Sequence, residues 1–251
     1  MDNTDKFSGR AESYVKARPD YASEMIHYIT DKFGITENTI IADVGSGTGK
    51  FSKEFLKLGC KVFCVEPNDD MRNTAEKLLS SYPNFISVNG TCDNTALEDK
   101  SIDIVTVAQA FHWFDADKFK LECKRILKTG GTVVLAYNHR VDSSEFVIEN
   151  AEICKKFCPN FKGFSNKFND TAISKINTFF NGKYEIQKFP NNLTYSKEKF
   201  IERMLSASYS LTEKDNNFDE YIKALEQLFD KYSVDNIVTM PNESFSYIGT
   251  P

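Results

Sequence analysis

The sequence predicts an α/β protein wound on both sides of a parallel sheet, and three observations carry that reading. Between residues 40 and 137, short β-branched apolar runs alternate with amphipathic helical stretches. The connections between them are short. One run leads directly into a turn with three glycines at alternate positions, DVGSGTG, residues 43–49. Strands that alternate with helices over short connections imply parallel pairing and right-handed crossovers.

The elements follow in order. TIIADV is apolar and β-branched and reads as the first strand. KFSKEFLKLG reads as a helix, with Phe51, Phe55 and Leu58 on one face and Gly59 as its stop. KVFCVE is the second strand. NDDMRNTAEKLLSSY is the second helix, with Met71, Ala75, Leu78 and Tyr82 along one side. Acidic residues fill its first turn, where they complement the helix dipole. NFISVNG is a third strand, and SIDIVTVAQA a fourth that is apolar enough to be buried on both faces. DADKFKLECKRILK is a helix and GGTVVLAYN a fifth strand.

The remainder is less regular. Residues 10–33 look helical, interrupted at Arg18-Pro19. SSEFVIENAEICKKF and NDTAISKINTFF also look helical, and KYEIQKFP and LTYS look like strand. Helices are expected at about 197–207 and 217–232, the second with a stripe of Phe218, Tyr221, Ile222, Leu225, Phe229 and Tyr232. NIVTMPNESFSYIGTP reads as strand with a turn at Pro241-Asn242. The expected organisation is a single domain over 1–251. Its core spans about 34–140 plus C-terminal strands at about 235–250, with a helical cap from 1–33 and about 141–234.

Composition narrows the function classes. The 251 residues are 41% hydrophobic and 27% charged, ordinary for a globular chain. A net charge of −5 does not favour nucleic acid as a partner. No apolar run is long enough for a bilayer, and the polar start MDNTDKFSGRAESY lacks a signal-like segment. The expected setting is therefore the cytoplasm, with no membrane partner. Six cysteines include no Cys-x-x-Cys, and His27, His112 and His139 fall outside any ligand pattern with them. No metal site is expected, and the thiols read as small buried side chains.

The glycine turn is the informative feature. A phosphate-binding Walker loop needs a hydroxyl residue after its lysine, but Phe51 follows Lys50. A dinucleotide fingerprint needs Gly-x-Gly-x-x-Gly, and Lys50 occupies the place of its third glycine. An acid two residues before the first glycine would also bring negative charge towards a pyrophosphate. It suits a ligand without phosphate that carries a positive group. S-adenosylmethionine is such a ligand, with a sulfonium, an amino group and a ribose. Asp43 could meet the amino group directly or through water. Glu66, at the end of the second strand, could accept both ribose hydroxyls.

Four motifs, DVGSGTG, VEPNDDM, GTCDNTALEDKSIDIV and AQAFHWFD, stand in order at suitable spacing. Together with FSGRAESYVKARPDY, residues 7–21, they resemble the class I S-adenosylmethionine-dependent methyltransferases, and most closely the small-molecule, methyltransferase type 11-like group. The motif-bearing resemblance covers about residues 7–140. It implies a Rossmann-like, seven-stranded, mostly parallel sheet with a helical cap.

The resemblance also implies site roles. Asp43, Gly45, Ser46, Gly47 and Gly49 match the cofactor loop. Glu66 and Pro67 match the ribose-binding acid and its neighbour, and Met71 a residue near the adenine. Cys92-Asp93 stands where the group usually has Ala-Glu for the adenine amino group. Gln109 faces the cofactor cleft in relatives. Tyr14 and Arg18 belong to a lid over the cofactor. His112, directly after the fourth strand, is the candidate general base. Trp113 and His139 are candidates for the acceptor pocket. Packing roles for the Trp113 ring and a plain hydrogen-bonding role for either histidine compete with these assignments. Asp103 reads as a strand-start residue and His27 as structural.

The functional expectation is methyl transfer from S-adenosylmethionine to a small-molecule acceptor by a monomer or homodimer. A dry pocket would position the nucleophile in line with the methyl carbon. A carboxylate acceptor would need no base; a hydroxyl or amine would. Two other classes stay open: a cofactor-binding protein without catalysis, and a nicotinamide-dependent oxidoreductase.

Overall fold

The computed structural model describes residues 19–164, 170–207 and 209–251. They fall into two packing units. The first takes residues 19–137, 170–189 and 244–251; the second takes 138–164, 190–207 and 209–243.

The first unit holds a seven-stranded sheet. Its strands are β1 (Ile40–Val44), β2 (Lys61–Val65), β3 (Phe85–Val88), β4 (Ile102–Ala108), β5 (Leu127–Arg140), β6 (Tyr184–Pro190) and β9 (Asn242–Gly249). The spatial order is β3-β2-β1-β4-β5-β9-β6. The pairs β1–β2, β1–β4, β2–β3 and β4–β5 are parallel. The chain therefore winds outward from β1 to β3, then crosses back to β4 on the other side of β1. Ligands bind at such a reversal, beyond the carboxyl ends of the strands.

Alternation along the central strands feeds both faces of the sheet. Val105, Val107, Val133 and Leu135 enter one apolar cluster; Ile104, Val134 and Ala136 enter the other. All seven are almost fully buried, as a central parallel sheet with helices on both faces requires.

The helices are shorter and differently faced than the periodicity suggests. α2 (Ser52–Leu56) spans five residues and buries Phe55 and Leu56, while Leu58 is 41% exposed. The chain turns out of the helix towards Gly59, whose φ is +84°, so Leu58 leaves the apolar stripe. α3 (Asp69–Leu79) buries Met71, Ala75 and Leu79, an i, i+4, i+8 face, and leaves Leu78 51% exposed. The stripe is centred on Leu79 because Gly49 makes room there. A side chain at that glycine would collide with the Leu79 methyl.

The boundary of the second unit also differs from the expected cap of 1–33 and 141–234. α1 (Ser23–Phe33) belongs with the sheet, because Met25, Ile26 and Ile29 are buried in the same cluster as Ile41 and Val62. Lys32 Nζ donates to Glu185 Oε2 at 2.7 Å, and the Tyr28 hydroxyl donates to Glu185 as well. α1 is thus tied to β6. α6 (Asp170–Phe179) and the turn after it bury Ile176, Phe179 and Phe180 against the opposite cluster.

The second unit has its own core. α5 (Glu145–Phe157), α7 (Lys197–Leu205) and α8 (Phe218–Tyr232) contribute Phe146, Cys154, Phe200, Met204, Tyr221, Leu225 and Phe229. β7 (Leu193–Tyr195) pairs antiparallel with β8 (Val238–Met240). On α8 the buried stripe is Tyr221, Leu225, Leu228 and Phe229, with Ile222 only half-buried.

All six cysteines are free, and five are buried; Cys92 is half-buried. Among the described residues no helix is long and apolar enough to cross a membrane, and no group of His, Cys, Asp and Glu could hold a metal ion.

One aromatic cluster supports the sheet edge where β4 ends. Phe119, fully buried on α4 (Ala116–Ile126), stacks on Phe179 at 5.4 Å and meets Phe114 edge-on at 5.0 Å. Phe111 lies 6.1 Å from Phe119 and 5.0 Å from Phe179. Phe119→Ala is expected to cost about 3–5 kcal/mol in urea unfolding, because it removes a whole ring from a packed site.

Candidate cofactor and active site

The candidate site is built from four consecutive strand ends. β1 runs into the glycine turn, β2 into Glu66, β3 into residues 89–93 and β4 into Gln109 and a 3-10 turn, Phe111–Trp113. The sheet order makes these four ends neighbours.

The root of the glycine turn is Asp43. In register it stands opposite Thr106 on β4. Its Oδ1 accepts from Thr106 Oγ1 at 2.8 Å and its Oδ2 from Ser52 Oγ at 2.5 Å. The carboxyl group is wholly buried. It therefore joins β1, β4 and the start of α2. Burial raises its pKa to about 6 despite the two hydroxyl donors, and the nearby negative Glu66 adds to the rise.

The turn itself lies across the end of β2. The amides of Gly45 and Ser46 both donate to the Val65 carbonyl, at 2.8 and 3.2 Å. Gly49 N donates to Ser46 O at 2.9 Å. All three glycines have positive φ, but their reasons differ. A Cβ on Gly45 would lie 2.8 Å from Ala110 Cβ, and one on Gly49 would strike Leu79, so these two permit close packing. A Cβ on Gly47 would meet nothing within 4 Å. The open side of the turn is therefore at Gly47. Beside it, the Ser46 hydroxyl is buried with no hydrogen-bond partner among the described residues.

Glu66 clasps the turn from the next strand. Its Oε2 accepts from Gly47 N and its Oε1 from Asn68 N, each at 2.9 Å. The side chain is 9% exposed, and burial raises its pKa against the pull of those two amides. A carboxylate offers about four lone-pair sites, so two remain for further donors. Pro67 is half-buried beside it. Arg72 Nη1 donates to the carbonyls of Glu66 at 3.0 Å and Pro67 at 3.3 Å. Asn68 caps α3 by accepting from Met71 N at 3.0 Å, which fixes the buried Met71 at the helix start.

The remaining expected residues are spread around these strand ends. Cys92 is half-buried against the core, and burial raises its pKa. Asp93 is exposed; its Oδ1 accepts from Thr91 Oγ1 at 2.7 Å, which lowers its pKa. Gln109 has φ +57°, although it is not glycine, and its amide donates to Ala136 O at 2.9 Å. Backbone held in this sparsely populated region costs about 1–3 kcal/mol and clusters at functional sites. Next to it, the His112 ring lies 4.7 Å from Trp113 and 6.4 Å from Tyr137. His139 falls in the second unit, where burial lowers its pKa to about 4, with Asp142 opposing the drop. Tyr14 and Arg18 lie outside the described residues.

Several supporting residues escaped the sequence reading. Ser52 and Thr106 complete the buried triplet with Asp43. Arg72 steadies the turn after β2. Lys175, on α6, donates to the carbonyls of Phe114 and, at 3.4 Å, His112. It holds the 3-10 turn from an element far along the chain. Asn68 escaped it too, although it carried a local signal, a capping residue ahead of two acids.

The raised pKa of Asp43 has a sign. A folded-state value above the ordinary one of an aspartate means that the native state holds the proton more tightly. This contribution to stability is full below about pH 4 and is lost as pH rises through 6. Wild type is therefore expected to lose about 2 kcal/mol against Asp43→Asn between pH 4 and 7. Parallel urea titrations of the two proteins would measure that difference. Equal pH profiles would contradict it.

Residues 42–135 match the family model described as methyltransferase domain. An uncharacterised methyltransferase-like protein of Schizosaccharomyces pombe is 33% identical over 159 residues, 62% of this chain and 61% of that one. An uncharacterised methyltransferase of Mycobacterium tuberculosis is 31% identical over 59% of this chain and 58% of its own. The matches thus span about three fifths of the length of these curated relatives. Among solved structures, a provisionally named type II methyltransferase from Anaeromyxobacter dehalogenans superposes with a TM-score of 0.62 at 16% identity, covering 92% of this chain and 95% of that one. The match to the family model, the curated relatives and the shared fold agree with the four strand-end motifs: residues 42–135 are similar to a methyltransferase domain, on a fold shared with solved methyltransferases.

Proposed function

We propose that the chain binds S-adenosylmethionine at the four strand ends and catalyses transfer of its methyl group to a small-molecule acceptor. The observation that carries this reading is the pairing of the open Gly47 turn with Glu66. Two backbone amides hold that carboxylate at the end of β2, and lone pairs remain for a diol. Gly47 offers its open side to the ligand, and the Ser46 hydroxyl gives a buried polar atom for it to satisfy. Met71, Cys92 and Asp93 would line the adenine end. Gln109 would face the methionine end from its strained position after β4.

When bound, the cofactor supplies an electrophilic methyl group on a sulfonium. The chain's own task is then to orient the acceptor and exclude water. Orientation of this kind is worth up to about 7–11 kcal/mol. His112 would take a proton from a hydroxyl or amine acceptor at a ring nitrogen. Trp113 would supply an apolar wall beside it. An acidic chain and the absence of a phosphate cradle in the turn support a metabolite rather than a nucleic acid as acceptor.

Calorimetry on the full chain tests the reading. S-adenosylmethionine and S-adenosylhomocysteine should bind, and the nicotinamide dinucleotides should not. Tighter binding of a dinucleotide would overturn it. Cofactor binding with no labelled methyl transferred to any small-molecule fraction would favour a non-catalytic binder.

Two substitutions refine the test. Glu66→Ala is expected to weaken S-adenosylhomocysteine by about 1.5–3 kcal/mol for each lost hydrogen bond, less where water substitutes. Gly47→Val should be worse, since a branched side chain fills the open side of the turn and resists positive φ. Unchanged affinity in either folded variant would remove that residue from the site.

A further inference from the structure

The second unit contains two arginines that the strand-end site does not use. Arg140 ends β5, and Arg203 lies in the last turn of α7. The Nε atom of each is buried with no hydrogen-bond partner among the described residues. Among the described residues neither forms an ion pair. Arg203 Nη1 makes a long 3.4 Å contact to Ser206 Oγ.

The surroundings of the pair are aromatic and hydroxylic. The Arg140 guanidinium lies 4.3 Å from the centre of the Phe164 ring. Phe164 meets Phe161 edge-on at 5.1 Å, and Phe161 meets Tyr209 in the same way at 4.8 Å. Besides burial, the groups acting most strongly on Arg140 are Arg203, Tyr209, Tyr195 and the Cys154 thiol. Tyr209 in turn feels Cys154, Arg140 and Arg203. None of these is a carboxylate. Burial and the neighbouring Arg203 both push the Arg140 pKa down.

Two half-buried arginines, each with its Nε atom buried and no carboxylate partner among the described residues, are costly. Burying a charge is tolerated when it is paired and hydrogen-bonded, and a like charge beside it adds to the cost. A guanidinium fork is shaped to grip two oxygens of one anion at once, and it stacks on aromatic faces while doing so. We propose that the second unit binds a small organic oxyanion, its charged oxygens gripped by Arg140 and Arg203 and its apolar body laid against Phe164, Phe161 and Tyr209. The phenol hydroxyls of Tyr209 and Tyr195 are the further donors at hand. The chemistry required is a flat or tetrahedral oxyanion on an aromatic or aliphatic frame, a carboxylate or a phosphate ester. The site stands independently of the methyl-transfer reading.

The test uses the full chain without cofactor. Benzoate, phenyl phosphate and the neutral benzyl alcohol are titrated by calorimetry at constant ionic strength in chloride. Binding of an anion but not of the alcohol is the expected result. Preference for benzoate assigns a carboxylate ligand, and preference for phenyl phosphate a phosphate ester. Arg140→Gln and Arg203→Gln should each weaken the preferred anion at least tenfold, and Arg140→Lys should weaken it less. In chloride alone, the glutamine variants should melt no lower than wild type, because they remove a half-buried charge that has no carboxylate partner among the described residues. S-adenosylhomocysteine titrated separately into wild type and variants shows whether the strand-end site is intact. Its failure to bind would count against the proposed function and leave the anion result standing. Absence of binding by both anions, or wild-type anion affinity in both folded glutamine variants, would overturn the proposal. Should Arg140→Gln fail to fold, Arg203→Gln alone decides.

Discussion

The site depends on two carboxylates that the chain keeps for itself. Asp43 is sealed under the glycine turn by Ser52 and Thr106, and Glu66 holds the turn from above through Gly47 and Asn68. Each accepts two hydrogen bonds from different elements, so together they join β1, β2, β4, α2 and the entry to α3. Neither arrangement is free. Burial opposes the charge on both, and the negative Glu66 adds to the cost of charging Asp43. The hydroxyl and amide donors offset that cost only if the strand ends stay in register. Loop geometry and sheet register are therefore one constraint.

This explains why the three glycines are not equivalent. Two of them serve packing: Gly45 admits Ala110, and Gly49 admits Leu79. The third, Gly47, has space on its open side and is tied by its amide to Glu66. The turn is thus clamped at both ends and open in the middle. A rigid frame of this kind lets a ligand meet preformed donors and acceptors, with little ordering cost on binding.

Much of this was legible in the sequence because it is local. The strand–helix alternation, the glycine spacing and Glu66 at a strand end are short-range patterns, and the sheet follows from them. What was hidden depends on contacts distant in sequence. Thr106 reads as an ordinary strand residue until register sets it opposite Asp43. Lys175 reads as helix surface until α6 brings it to the carbonyls after β4. Leu58 and Leu78 fit a helical period as well as their neighbours Leu56 and Leu79 do. The choice was made by where α2 ends and by the space above Gly49. The assignment of α1 to the sheet unit likewise rests on Glu185 and Ser244, far along the chain.

The thiols give the fold a built-in record of its own opening. Five of the six are buried, and burial raises the pKa of every one, Cys154 to about 12. The thiolate is the reactive form, so the native protein presents almost none of it to an alkylating reagent or an oxidant. Cys60, Cys64 and Cys123 lie in the sheet unit, while Cys154 and Cys158 lie in the other. Reaction at each group then counts how often its own unit breathes, and the ratio of the two rates separates local opening from unfolding of the whole chain.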